Sequence, residues 1–276
     1  MNQHPADNAP RSEGGATGLQ DPATRSQRGT AQQAQLLAQP AEDAATLFES
    51  SWRDYIFAEV WTRPGLDLRS RYLIAISSAA GAGDGTAAEG YARGALAGSE
   101  LTLAELREAA LQCAVYAGWT CGGLFDAAVT RAADRLGLAP VEIMPLRTEP
   151  WDPATRLAEG DESFRQNMLF ASPPPRTAYF EGGILNFVFG EMWNRPGLDQ
   201  RARRWLTLVG VGNSSSPTPI RSHVWSAMKS GNATPDEMFE FVLQYAIHAG
   251  WPRASVMQGA VMEQAAKVEK GLNYDG

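Results

Sequence analysis

Cysteine and histidine are scarce in this chain of 276 residues, which has two of the first and three of the second. Two cysteines, Cys113 and Cys121, cannot form a disulfide framework, and so few in a chain of this size fit a reducing cytoplasm. His223 and His248 are not at the i, i+4 spacing of a helical metal site, and no carboxylate cluster stands beside them. There is no excess of positive charge: the net charge is −7 and the pI about 5.1. Nucleic acid and anionic membranes are therefore excluded as main partners, since both need a basic face. No apolar run approaches the roughly 20 residues of a membrane span, and the N-terminus has no apolar core of a secretory signal. No segment alternates with the period of a strand, and no glycine-rich phosphate loop follows one. The expectation is an all-α cytoplasmic protein.

What the chain does have is a repetition. EVWTRPGLDLRSR at Glu59–Arg71 returns as EMWNRPGLDQRAR at Glu191–Arg203, a displacement of 132 residues (191 − 59). At the same displacement YARGALAGSELTLAEL (Tyr91–Leu106) meets HVWSAMKSGNATPDEM, and EAALQCAVYAGW (Glu108–Trp119) meets EFVLQYAIHAGW. A register that holds this far indicates a duplicated unit. Asp67 and Asp199 follow Pro-Gly turns and should cap helices that are apolar nearly all round, hence buried. Thr102 with Glu105, and Thr234 with Glu237, have capping-box spacing. Residues 1–38 are poor in large apolar side chains and are expected to be a disordered tail. The first unit is placed at 39–138, a Pro-rich linker at 139–160, and the second unit at 161–276.

W-x-R-P-G-L-D, R-x-R, R-G-A-L, T-x-x-E-x-x-E and A-x-Y-A-G-W, in that order, resemble the carboxymuconolactone decarboxylase family of the AhpD-like superfamily. The likeness covers about residues 55–137 and, more loosely, 187–270. It implies an all-helical fold and a homo-oligomer, for a tandem chain a trimer resembling a hexamer of single units. It also implies loss of CO₂ from a γ-lactone dicarboxylate in aromatic catabolism, or related lyase or isomerase chemistry, with neither metal nor organic cofactor. Peroxidase relatives carry a Cys-x-x-Cys twelve residues after a glutamate. Here those positions are Thr120 and Gly123, then Pro252 and Ser255, while Cys121 stands one place off and alone. A disulfide-cycling mechanism needs two thiols, so that activity is set aside.

The copies differ where the resemblance places an acid–base histidine. Copy one has Tyr91 where copy two has His223, and Tyr116 where copy two has His248. Histidine suits proton transfer near neutrality far better than tyrosine. The expectation is therefore that copy two works and that copy one supplies a pseudo-site or part of the pocket wall. His223 would move the proton, Glu240 would relay it, and Arg203 would hold a substrate carboxylate. Tyr91, Glu108, Tyr116, His248, Trp193 and Trp251 would line the site for a small carboxylated lactone or enol-type compound. The alternative from another class is a non-catalytic oligomeric binding or scaffold protein in which both sites have decayed; a third, less favoured, is single-cysteine peroxide chemistry at Cys121.

Overall fold

The computed structural model describes residues 21–142 and 144–276, and within them the chain is all-α, with no strand. The part of the expected tail at residues 1–20 lies outside the described residues.

The strongest helix signals lie in the repeat. Asp67 caps α3 (Leu68–Gly81) by accepting from the Ser70 amide at 2.8 Å, and Asp199 caps α8 (Gln200–Ser214) by accepting from Ala202 at 2.8 Å. Both helices are buried along almost their whole length, as all-round apolarity requires. Each Leu73- or Ile76-sized side chain contributes about 1.5–3 kcal/mol when fully buried. α4 (Gly85–Ala97) and α9 (Pro217–Lys229) come next. Complete capping boxes at Thr102 and Thr234 open α5 (Leu103–Ala117) and α10 (Pro235–Ala249). α6 (Trp119–Arg135) and α11 (Trp251–Glu269) follow through corners at Gly118 and Gly250, whose φ values of 91° and 84° disfavour any side chain. Each helix of the second set starts 132 residues after its counterpart (200 − 68, for example).

The structure corrects the tail. Arg25–Leu37 is a helix, α1, followed by α2 (Leu47–Ser51) and a π-helix at Trp52–Val60. α1 packs on that π-helix and on α4. Its C-terminal carbonyls are captured from afar: Tyr72 Oη donates to Leu36 O, and Arg93 Nε to Leu37 O, each at 2.8 Å. Composition predicts disorder because α1 carries few apolar side chains, but hydrogen bonds from the folded body anchor it. The expected linker also shortens. Asp152 caps α7 (Pro153–Met168), with proline at its first position, so helix begins inside residues 139–160. A second π-helix, Tyr179–Phe189, packs on α7.

The two helix sets pack into each other. α3 lies against α8 and α10, and α5 against α8. Leu198, Ala202 and Leu206 complete the core around α3–α6, while Leu66 and Ile74 enter the core around α8–α11. This interpenetration decides how the site residues meet.

Candidate active site

The positions that match under the repeat do not pair within their own copies. Tyr91 on α4 faces His248 on α10: Tyr91 Oη lies 3.3 Å from His248 Nε2, with the rings perpendicular and 5.7 Å apart. Tyr116 on α5 faces His223 on α9, again with perpendicular rings, 5.2 Å apart. Tyr91 matches His223 and Tyr116 matches His248, so each cluster takes one position from each half. Copy one has no histidine at these positions, yet each crossed cluster holds one histidine and one tyrosine, so both clusters draw on both copies.

The glutamates cross in the same way. Glu240 is clamped by Arg63, whose Nε lies 2.8 and 2.9 Å from its two oxygens, and by Arg71 Nη2 at 2.9 Å. Arg71 also donates to Gln244 Oε1 at 3.0 Å. Correspondingly, Arg195 grips Glu108 with two bonds of 2.8 and 2.7 Å, and Arg203 donates to Gln112 Oε1 at 3.2 Å, with Glu108 3.9 Å away. Burial pushes the Glu240 carboxyl up, but the hydrogen bonds and charges of Arg63 and Arg71 outweigh it and hold it below the usual range. Burial lowers Arg203 to about 10.

The proposed trio of His223, Glu240 and Arg203 is thus not assembled. Glu240 and Arg203 bond within opposite clusters, Arg203 with its buried Nε left unpartnered, and no hydrogen bond or ion pair joins either to His223 among the described residues. One difference separates the clusters. Gln112 Nε2 donates to Thr207 Oγ1 at 3.1 Å, whereas Gln244 Nε2 is buried without a partner, because Ala75 stands where Thr207 matches.

The surroundings of the two histidines differ more. Beside Tyr91 a cleft of about 780 Å³, within the range of small-molecule sites, is lined by Tyr91, Trp52, Phe48, Asp84 and Arg93, while His248 itself does not line it. The Trp52 ring packs 5.6 Å from the His248 ring, and Trp61 stacks on Tyr91 at 5.4 Å. Burial lowers His248 to about 4 against the pull of Asp84, so its imidazole is neutral at pH 7. Burial drives the Tyr91 phenol well above its ordinary value, so it stays a proton donor.

On the His223 side the space is filled. Trp193, fully buried, donates from Nε1 to Tyr116 Oη at 2.7 Å, and the Arg204 guanidinium lies 4.7 Å above the Trp193 ring. Arg204 also donates to the Asn167 carbonyl. His223 is 8% exposed and its Nδ1 has no partner; burial and then the Arg204 charge lower it to about 3. Trp251 is 56% exposed, at the start of α11, beside Tyr55. Sequence reasoning missed Trp52, Arg204 and the two glutamines. Trp52 lies before the recognisable motifs, while Gln112 and Gln244, four residues after Glu108 and Glu240, share their helix face.

The sequence pattern of the carboxymuconolactone decarboxylase family matches residues 47–121, from α2 into the first turn of α6. That segment of the chain carries the family's pattern. The 4-carboxymuconolactone decarboxylase of Acinetobacter baylyi (strain ATCC 33305 / BD413 / ADP1) is 31% identical over 93 residues, which are 34% of this chain and 66% of that relative. The family match includes Trp52, Trp61, Tyr91, Glu108 and Tyr116 but neither histidine of the crossed clusters. Among the described residues no helix is long and apolar enough to cross a membrane, and no three His, Cys, Asp or Glu side chains cluster as metal ligands.

Proposed function

We propose that this chain is a member of the carboxymuconolactone decarboxylase family and a cofactor-independent acid–base enzyme. Its substrate is a small carboxylated lactone or enol-type compound, and it works at the Tyr91–His248 cluster rather than at His223. The observation carrying this reading is that the 780 Å³ cleft reaches Tyr91, whose hydroxyl is 3.3 Å from His248 Nε2. A neutral imidazole held at about 4 is a weak base alone. An anionic substrate beside it favours the imidazolium and raises its pKa toward the range where it trades protons at neutral pH. As CO₂ departs, negative charge moves onto the lactone or enolate oxygen, where the Tyr91 phenol donates a hydrogen bond. The His248 imidazolium then protonates the carbon that lost the carboxylate. Trp52 shields the imidazole from bulk water.

The test is turnover of γ-carboxymuconolactone, followed by ultraviolet absorbance and CO₂ release. His248→Gln is expected to lose roughly 10²–10⁴-fold in kcat. Tyr91→Phe is expected to lose less, and His223→Gln to stay near wild type. Activity that survives His248→Gln and vanishes with His223→Gln would move the chemistry to the filled cluster. No turnover by any of the proteins would reject decarboxylation of this lactone. That last result would favour non-catalytic ligand binding, a reading supported by the arginine clamps on Glu108 and Glu240. The proposed trimer predicts three chains per particle by light scattering, and a monomer would refute it.

A further inference from the structure

The cysteines that look unrelated in sequence are neighbours in the fold. Cys113 on α5 and Cys121 on α6 place their sulfurs 3.4 Å apart, both as free thiols. The contact follows from the tightness of the α5–α6 pair. A Cβ at Gly122 would lie 2.4 Å from Ala114 Cβ and 3.0 Å from Ala110 O, so only glycine lets the helices approach this closely. The two thiols are also unequal. Cys113 is 0% exposed and accepts a hydrogen bond from Ser77 Oγ at 3.5 Å; Cys121 is 8% exposed. Neither bonds to any member of the two crossed clusters, and the proposed acid–base chemistry uses neither.

We infer that Cys113 and Cys121 are a redox modification site, a dithiol that hydrogen peroxide converts to an intramolecular disulfide. Cys121 is the attacking sulfur. It lies in the first turn of α6, where the helix dipole favours an anion, and once ionised it accepts from the Cys113 thiol 3.4 Å away, which lowers it despite burial. The same hydrogen bond, with burial, pushes Cys113 up, so it remains the thiol until its turn comes.

In the first step the Cys121 thiolate attacks one peroxide oxygen. The O–O bond breaks, the other oxygen leaves as water after taking a proton, and Cys121 becomes a sulfenic acid. In the second step the Cys113 sulfur attacks the Cys121 sulfur. The S–S bond forms, the sulfenic hydroxyl leaves, and with the Cys113 proton it becomes a second water. The peroxide is reduced by two electrons and the two thiols are oxidised by two. Ser77 Oγ–H steadies the charge that builds on Cys113 as it loses its proton. A thiol reductant reverses the change.

The experiment uses the full chain in its native state. It is exposed to hydrogen peroxide, quenched in acid, denatured, alkylated with N-ethylmaleimide and weighed by intact mass spectrometry. Wild type is expected to lose two hydrogens, take no maleimide and recover both thiols with dithiothreitol. Cys113→Ala is expected to stop at a Cys121 sulfenic acid that dimedone traps, and Cys121→Ala to keep an unoxidised Cys113. Circular dichroism of each variant confirms that it is folded. Two maleimides on wild type, after exposure that fully oxidises free glutathione, would overturn the inference. A disulfide found only between chains, or equal oxidation of Cys113 with and without Cys121, would overturn it too.

Discussion

The Tyr91 hydroxyl stands 3.3 Å from His248 Nε2, although 157 residues separate the two in sequence. The contact joins α4 of the first helix set to α10 of the second, and Tyr91 is the member of the pair that lines the cleft. Its mirror is Tyr116 against His223. The two clusters share one plan and differ in what surrounds them. A cleft lies over the first, while Trp193 and Arg204 fill the second.

Both histidines make stability depend on pH. Folded, His248 titrates at about 4 and His223 at about 3; unfolded, each titrates near 6.5. Below about pH 6.5 the unfolded chain binds protons that the folded chain refuses, so stability falls as pH drops toward 4 and is fully present above 6.5. His223→Gln removes one of these sites. Its loss of Tm between pH 7 and about pH 5 should be smaller than that of wild type. Parallel profiles would mean that His223 is not buried neutral.

Glu240→Gln should be costly. Arg71 is 1% exposed and would be left with a buried charge and only neutral partners. Breaking such a pair costs roughly 3–5 kcal/mol. Arg69, whose side chain is 27% exposed in its pairs with Glu105 and Asp199, offers the contrast. Its replacement by alanine should cost under about 1 kcal/mol. Urea denaturation of both variants reads the difference directly, and similar losses would contradict the clamp.

Gly94→Ala should release α1. A Cβ at this position would sit 1.7 Å from Leu36 O and 2.9 Å from Tyr72 Oη, so the helix must move off the body. Trypsin should then cut at Arg25 and Arg28 in the variant well before it does in wild type. Gly123→Ala, where a Cβ meets nothing within 4 Å, is the control and should leave α1 protected. An unchanged digest of Gly94→Ala would mean that α1 is not held by these contacts.

Much of the fold was legible in the sequence because its signals are local. Asp67 and Asp199 as caps and the boxes at Thr102 and Thr234 lie where their motifs placed them. α1 was not legible, since its anchors, Tyr72 and Arg93, lie at least 36 residues away from the carbonyls they hold. The expected catalytic trio failed for a related reason. Sequence comparison aligns His223, Glu240 and Arg203 along one copy, but it carries no information on which copy each side chain faces.

The sequence by itself determined the helical class, the family resemblance, the caps, the 132-residue repeat and the exchange of tyrosine for histidine, all of which depend on residue type and spacing. Only the tertiary structure decided that the halves interlock. That interlocking pairs each histidine with the other half's tyrosine and each glutamate with the other half's arginines. The physical reason is that amphipathic and all-apolar helices fix which faces must be buried, not which helix buries them. That choice falls to close packing over the whole chain.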